Sequence, residues 1–176
     1  ATARFLIKNP PYDVQRDLTP VSFVASVPSV VAITPSLPVN SLRELIDYAK
    51  RNPGKLSFPH TGSGLALHLI GESFNQAAGV DLLAVPYKAS GSTLVGDFLA
   101  GRVHVYFAAL GTVRPHLGPG KVKLIGVVNN TRIRQLPDVP TVNETLPDYY
   151  NIAAWFGFLG PAGLPAPIAM RIAAET

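Results

Sequence analysis

The sequence predicts an α/β fold, a mostly parallel sheet flanked by helices, on three observations. Short β-branched, apolar runs alternate with stretches of helical periodicity. Glycine and proline, 15 and 17 residues, punctuate the junctions without gathering into a low-complexity tract. Small-residue loops lead from strand-like runs straight into helices. The 176 residues suit one domain, or one and a fraction, and 47% of them are hydrophobic, enough for a sizeable core.

The elements follow in order. Residues 1–19 are polar and proline-containing and read as a loop leading into Pro20. Residues 21–34 (VSFVASVPSVVAIT) read as two strands meeting at Pro28. Ser41 has capping-box spacing to Glu44, and Leu42, Leu45, Ile46 and Ala49 form one apolar stripe, which predicts a helix ended by Asn52-Pro53-Gly54. A short strand at 55–59 and a loop at 60–64 precede a helix over 65–78, with Gly79 as its C-terminal cap. A strand at 82–87, a loop at 88–91 and a helix at 92–100 repeat the pattern. Strands at 103–109 and 122–128 flank a helix or turn at 111–117. A short helical stretch around Glu144 ends before Pro147; an apolar strand at 152–159 and a helix from 165 close the chain.

Composition excludes several functions. Without cysteine there is no disulfide, cysteine nucleophile or cysteine-based metal site. No run of about 18 apolar residues would make a transmembrane helix. The first ten residues carry Arg4 and Lys8 and lack an apolar core, so no signal peptide opens the chain; a signal, if used, is removed or lies upstream. The net charge of +4 is scattered, with no basic run interleaved with aromatics, which argues against nucleic-acid binding.

Catalytic and cofactor motifs also fail. Thr61 and Leu65 stand where a nucleophile elbow around Ser63 needs glycines. A phosphate loop ending at Gly120-Lys121 would need glycine at Pro115 and a hydroxyl residue at Val122, and Leu67 replaces the third glycine of a dinucleotide fingerprint. His60, His68, His104 and His116 show no metal-ligand spacing. No catalytic residue, metal site or cofactor is expected.

What remains is the strand-end chemistry. In parallel sheets ligands sit beyond the carboxyl ends of the strands, and helix N-termini there bind anions through free N–H groups. Loops 60–64, 88–92 and 109–112 occupy such ends. The same residues also suit plain helix capping, and both meanings stay open at this level.

The segments PYDVQRDLTPVS (11–22), LPVNSLRELIDYAKRNPGKLSF (37–58), TGSGLALHLIGESFNQAAGVD (61–81), VPYKASGSTLVGDFLAGRVHVYF (85–107), LPDVPTVNE (136–144) and WFGFLGPAGLP (155–165) resemble the tripartite tricarboxylate transporter receptor family, often called Bug proteins. Six motifs in order cover essentially the whole chain. The resemblance implies a type II periplasmic-binding-protein-like lobe with partial elements of the other lobe: 1–22 ending the first lobe, 23–130 forming the ligand-binding second lobe, and 131–176 returning, with crossings near 22–31 and 128–131. It implies that the chain starts late in the first lobe, so that half of the ligand-binding wall lies outside it. It further implies a periplasmic receptor that hands a small organic carboxylate to membrane transporter subunits.

The resemblance also implies the ligand-binding residues. Thr61, Gly62, Ser63, Gly64 and Leu65 would supply the first set, and Ala89, Ser90 and Gly91 the second. Ala108 and Ala109 would lie at a strand end. Tyr87 or His68 would support the loops from behind. Leu65 stands where the family usually has a small hydroxyl residue, Ala89 where it has glycine, and Ala108 where it often has aspartate. These departures suggest a drier pocket for an aromatic or longer aliphatic carboxylate without an ammonium group. Two other classes stay open: the ligand-sensing effector domain of a regulator, which shares the two-lobed topology, and a hydrolase with a triad assembled only in space.

Overall fold

Ser29–Ile33 (β2) is a five-residue β-branched and alanine run, and all five residues are buried, which is the burial a central strand requires. The computed structural model describes residues 8–9, 11–87, 91–118 and 120–176. The chain divides into two units: residues up to Val27 together with Ala154–Thr176, and Pro28–Ala153.

In the first unit, Val14–Asp17 (α1) is a single helical turn where the sequence suggested a loop. Asp13 makes it, its carboxylate accepting from the Gln15 and Arg16 N–H groups. Leu18–Val27 (β1) pairs antiparallel with Ala154–Pro161 (β7), with register shifts at Pro20/Ser22 and Phe23/Ala25. The first shift falls at a proline, which has no N–H to give the ladder. Ala166–Ala174 (α7) follows, and Phe23, Trp155, Phe156, Phe158 and Ile168 remain exposed in this unit.

The second unit carries the sheet. Ser57–His60 (β3) and Leu83–Pro86 (β4) pair in parallel, while β2 lies antiparallel between Val105–Ala109 (β5) and Lys123–Val128 (β6). The α/β class therefore holds, with β2 as an antiparallel insertion. Ser29 at the start of β2 lies opposite both Ala109 and Val128, so β5 and β6 run parallel to each other on either side of it. His104 N–H donates to the Ser57 carbonyl, which sets the start of β5 beside the start of β3.

Alternation along β2 builds both cores. Val31 and Ile33 enter one cluster with Phe58, Phe74 and Phe107, against Leu42–Arg51 (α2) and Ala66–Ala78 (α3). Val30 and Ala32 enter the other with Phe98, Tyr106 and Leu94, under Gly91–Leu99 (α4). Ser41 caps α2 by accepting from Glu44 N–H, as its spacing predicted. Gly79 ends α3 in the left-handed conformation at φ 61°. Leu110–Val113 (α5) and a 3₁₀ turn at Arg114–His116 occupy the segment read as helix or turn.

Residues 131–153 differ from expectation. The sequence placed the return crossing near 128–131, whereas the structure keeps these residues in the second unit. Val127 N–H donates to the Pro140 carbonyl, and Val142 and Tyr149 are buried in its first core. Val142–Thr145 (α6) begins with a complete capping box between Thr141 and Glu144. Glu144 also takes Arg132 bidentately, at 2.9 and 2.6 Å. The polar character of 129–148 hid how firmly its few apolar residues anchor it.

Two outcomes are expected. A Cβ at Gly71 would lie 2.3 Å from the Phe58 ring, so Gly71→Ala must push α3 off β3. Overpacking of this kind costs about 1–3 kcal/mol, and the denaturant midpoint falls accordingly. The Arg132 guanidinium holds the Glu144 carboxyl at about 2, below its ordinary 4.5. A depressed carboxylate contributes stability above its unfolded value and loses it as the pH falls through the folded one. The stability difference between wild type and Glu144→Gln is therefore constant above pH 5 and shrinks from pH 4.5 towards 2, as pH-resolved denaturation will record.

Candidate functional site

The register of β3 and β4 pairs His60 with Pro86, so both strands end at one level. Tyr87 N–H donates to the His60 carbonyl at 2.8 Å and stitches the two exits together. Because β5 starts beside β3, its carboxyl end at Ala109 faces the same way. The sheet thus brings the loop after His60, Tyr87 at the exit of β4 and the start of α5 to one edge, as the strand-end rule anticipates.

The loop after His60 is the best-defined part. Thr61 and Ser63 are exposed, and Gly64 is buried with φ +73°, a conformation that favours glycine. Leu65 N–H donates to the Gly62 carbonyl and closes the turn. Leu65 is then the N-cap of α3 and makes no side-chain capping bond. Leucine ranks far below serine, threonine, aspartate and asparagine at this position because it has no acceptor to offer. The first N–H groups of α3, at Ala66, Leu67 and His68, therefore have neither an intrahelical acceptor nor a cap from Leu65. The Leu65 side chain is 48% exposed and rests over Gly62, where an added Cβ would meet its Cδ1 at 3.0 Å. The loop so presents two hydroxyls, a helix start lacking its own cap, and an apolar flap.

His68 is half-buried, and its Nδ1 accepts the Gly64 N–H at 3.2 Å. Its ring centroid lies 4.5 Å from that of His60. His60 is only 2% exposed, and its Nδ1 is buried without a hydrogen-bond partner. Burial is the main cause holding its pKa below the ordinary imidazole value, although a backbone hydrogen bond with Gly62 opposes the shift. The sequence placed His60 inside loop 60–64, whereas it is the last residue of β3. Its one signal was position, as the last residue before the glycine loop.

The second loop is less complete. Ala89 and Ser90 lie outside the described residues; Gly91 opens α4. Its support is described: Tyr87 Oη donates to Asp97 Oδ2 at 2.9 Å, and Arg102 Nη1 lies 2.6 Å from Asp97 Oδ1. Arg102 first, then Tyr87, keeps the Asp97 carboxyl below its usual range, and burial raises the Tyr87 hydroxyl. Asp97 ties α4 to the end of β4.

At β5, Ala108 is 0% exposed and sits in the second core. It presents no surface to a ligand here, since the inward alternation of β5 claims it. Ala109 is partly exposed and forms the N-cap of α5. Among the described residues, no group of three or more His, Asp or Glu side chains could hold a metal ion, and no helix is long and apolar enough to cross a membrane.

A family model described as the tripartite tricarboxylate transporter family receptor matches residues 1–175. A UPF0065 protein from the tcbD-tcbE intergenic region of Pseudomonas sp. (strain P51) is 36% identical over 174 residues, covering 98% of this chain and 51% of that protein. The R. palustris protein Rpa4515, solved with adipate, superposes with a TM-score of 0.84 at 34% identity, covering 94% of this chain and 55% of that one. MatC from Rhodopseudomonas palustris, solved with bound malate, superposes at 0.81 with 28% identity, covering 97% and 58%. The chain spans about half the length of the curated relatives it matches.

The bare start of α3 makes a direct prediction. Leu65→Ser supplies the missing acceptor, and a good N-cap is worth about 0.5–2 kcal/mol. The ligand-free melting temperature of Leu65→Ser therefore rises above that of wild type in a calorimetric scan.

Proposed function

Because the chain belongs to the tripartite tricarboxylate transporter receptor family, we propose that it forms the larger ligand-binding part of a periplasmic receptor that captures a small organic carboxylate and delivers it to the membrane subunits of a tripartite uptake system. One observation carries the assignment to this chain's own residues: α3 starts at Leu65 with no side-chain cap, beside the exposed Thr61 and Ser63 hydroxyls. A ligand carboxylate is the natural cap for such a helix, accepting its first N–H groups and meeting the positive end of the helix dipole.

The same residues inform the choice of solute. Thr61, Ser63 and the first amides of α3 supply donors only at the carboxylate end. Leu65 lays an apolar flap across Gly62, which suits a methylene chain or ring better than a further polar group. The relatives solved with adipate and malate bear dicarboxylates. Our assignment for this chain is a longer aliphatic or aromatic carboxylate without an ammonium group, bound without chemical change. Thr61, Gly62, Ser63 and the α3 amides would hold the carboxylate, with Ala89, Ser90 and Gly91 as a second set and Ala109 at the margin.

The test is a thermal-shift screen of a longer protein containing this chain, against mono-, di- and tricarboxylates, aromatic acids and amino acids. A ligand at 100 times its dissociation constant stabilises by about 2.7 kcal/mol. A shift with an aliphatic or aromatic acid and none with amino acids is the expected outcome. Tight binding of an amino acid, with silence from simple acids, would sink the proposed solute class.

A further inference from the structure

His68 stands at the third helical position of α3, the place from which a capping-box side chain reaches back to the preceding backbone. It reaches Gly64, whose N–H it accepts at Nδ1 over 3.2 Å. Gly64 is buried in a left-handed conformation, so its amide has little freedom to turn elsewhere. Accepting at Nδ1 requires the neutral ring to carry its proton on Nε2. That nitrogen lies 3.8 Å from Glu72 Oε1, one turn along the helix.

Among the described residues, the ring's other charged and titratable surroundings are few. Helix α3 packs chiefly on β3, β4 and β5 among the described residues. From β3 comes His60, its ring 4.5 Å away. β4 has no titratable side chain, and the Tyr106 of β5 belongs to the opposite core. Asp81 and Tyr150 line the groove beyond Glu72. His60, buried and held below the ordinary imidazole value chiefly by that burial, resists taking the proton itself.

We propose that His68 is the positioning residue of the 61–64 loop, and that a proton on its Nδ1 releases the Gly64 N–H and frees the loop. The functional meaning rests on the carboxylate reading of this loop, whereas the hydrogen bond does not. A protonated Nδ1 is a donor facing a donor, so the tie cannot survive protonation. The resulting cation also sits in the first turn of a helix, where the dipole opposes it. Imidazole is the side chain suited to such a change between pH 5 and 8. The neutral form of the ring thereby orders the loop, and its protonation loosens it.

The test is amide and imidazole NMR of the full 176-residue chain from pH 5 to 8, for wild type, His68→Asn and His68→Phe. In wild type, the Gly64 amide proton shifts with the same midpoint as the His68 ring. In His68→Asn, whose Oδ1 accepts without titrating, the Gly64 resonance keeps its neutral wild-type position throughout. In His68→Phe it sits at the acid-limit position at every pH. A Gly64 amide that ignores the His68 titration, or that is unmoved by His68→Phe, overturns the proposal. The carboxylate identified by screening should bind about tenfold more weakly to His68→Phe, the value of one lost hydrogen bond, and normally to His68→Asn. If no carboxylate binds while the Gly64 titration persists, the functional assignment fails and the positioning role stands.

Discussion

The contact between Phe58 and Gly71 is the constraint from which the site follows. The Phe58 ring occupies the space a Cβ on Gly71 would need, so α3 lies closer to β3 than any larger residue would permit. Between the end of β3 and the first turn of α3 there are only five residues, 61–65. With both anchors fixed, that loop has little choice of path. Gly64 takes the left-handed conformation, Gly62 accepts from Leu65, and the helix starts on a residue that cannot cap it.

A packed core thus supports a locally unfavourable helix end. The burial of Phe58, Phe74, Phe107 and Ile70 supplies stability, and the uncapped start of α3 gives some of it up. The contrast within the same chain is instructive. α2 and α6 carry Ser41 and Thr141 as side-chain caps, whereas α3, like α5 and α7, starts without one.

Much of this architecture is legible in the residues. The Ser41–Glu44 spacing, the stripe of Leu42, Leu45, Ile46 and Ala49, the Gly79 stop and the two small-residue loops are local signals, and each arises from backbone chemistry within a few positions. The family motifs extend over the whole chain for the same reason. Less visible was anything decided across the sheet. Ala108 looked like a strand-end ligand contact, but alternation within β5 sends it into the core. Residues 131–176 read as a return toward the first lobe, and Val142 and Tyr149 pack in the core of the second unit.

By itself, then, the sequence determined the element order from β1 onward, the bounds of α2, α3 and α4 to within a residue, the family and the first glycine loop, because these depend on short-range propensity, capping and pattern. Only the tertiary structure decided that β2 runs antiparallel between β5 and β6, that His60 is buried against His68, and that Tyr87, Asp97 and Arg102 form one support. Those facts turn on which strands pair and in what register. Pairings between residues far apart in the chain leave no periodic trace in the chain itself.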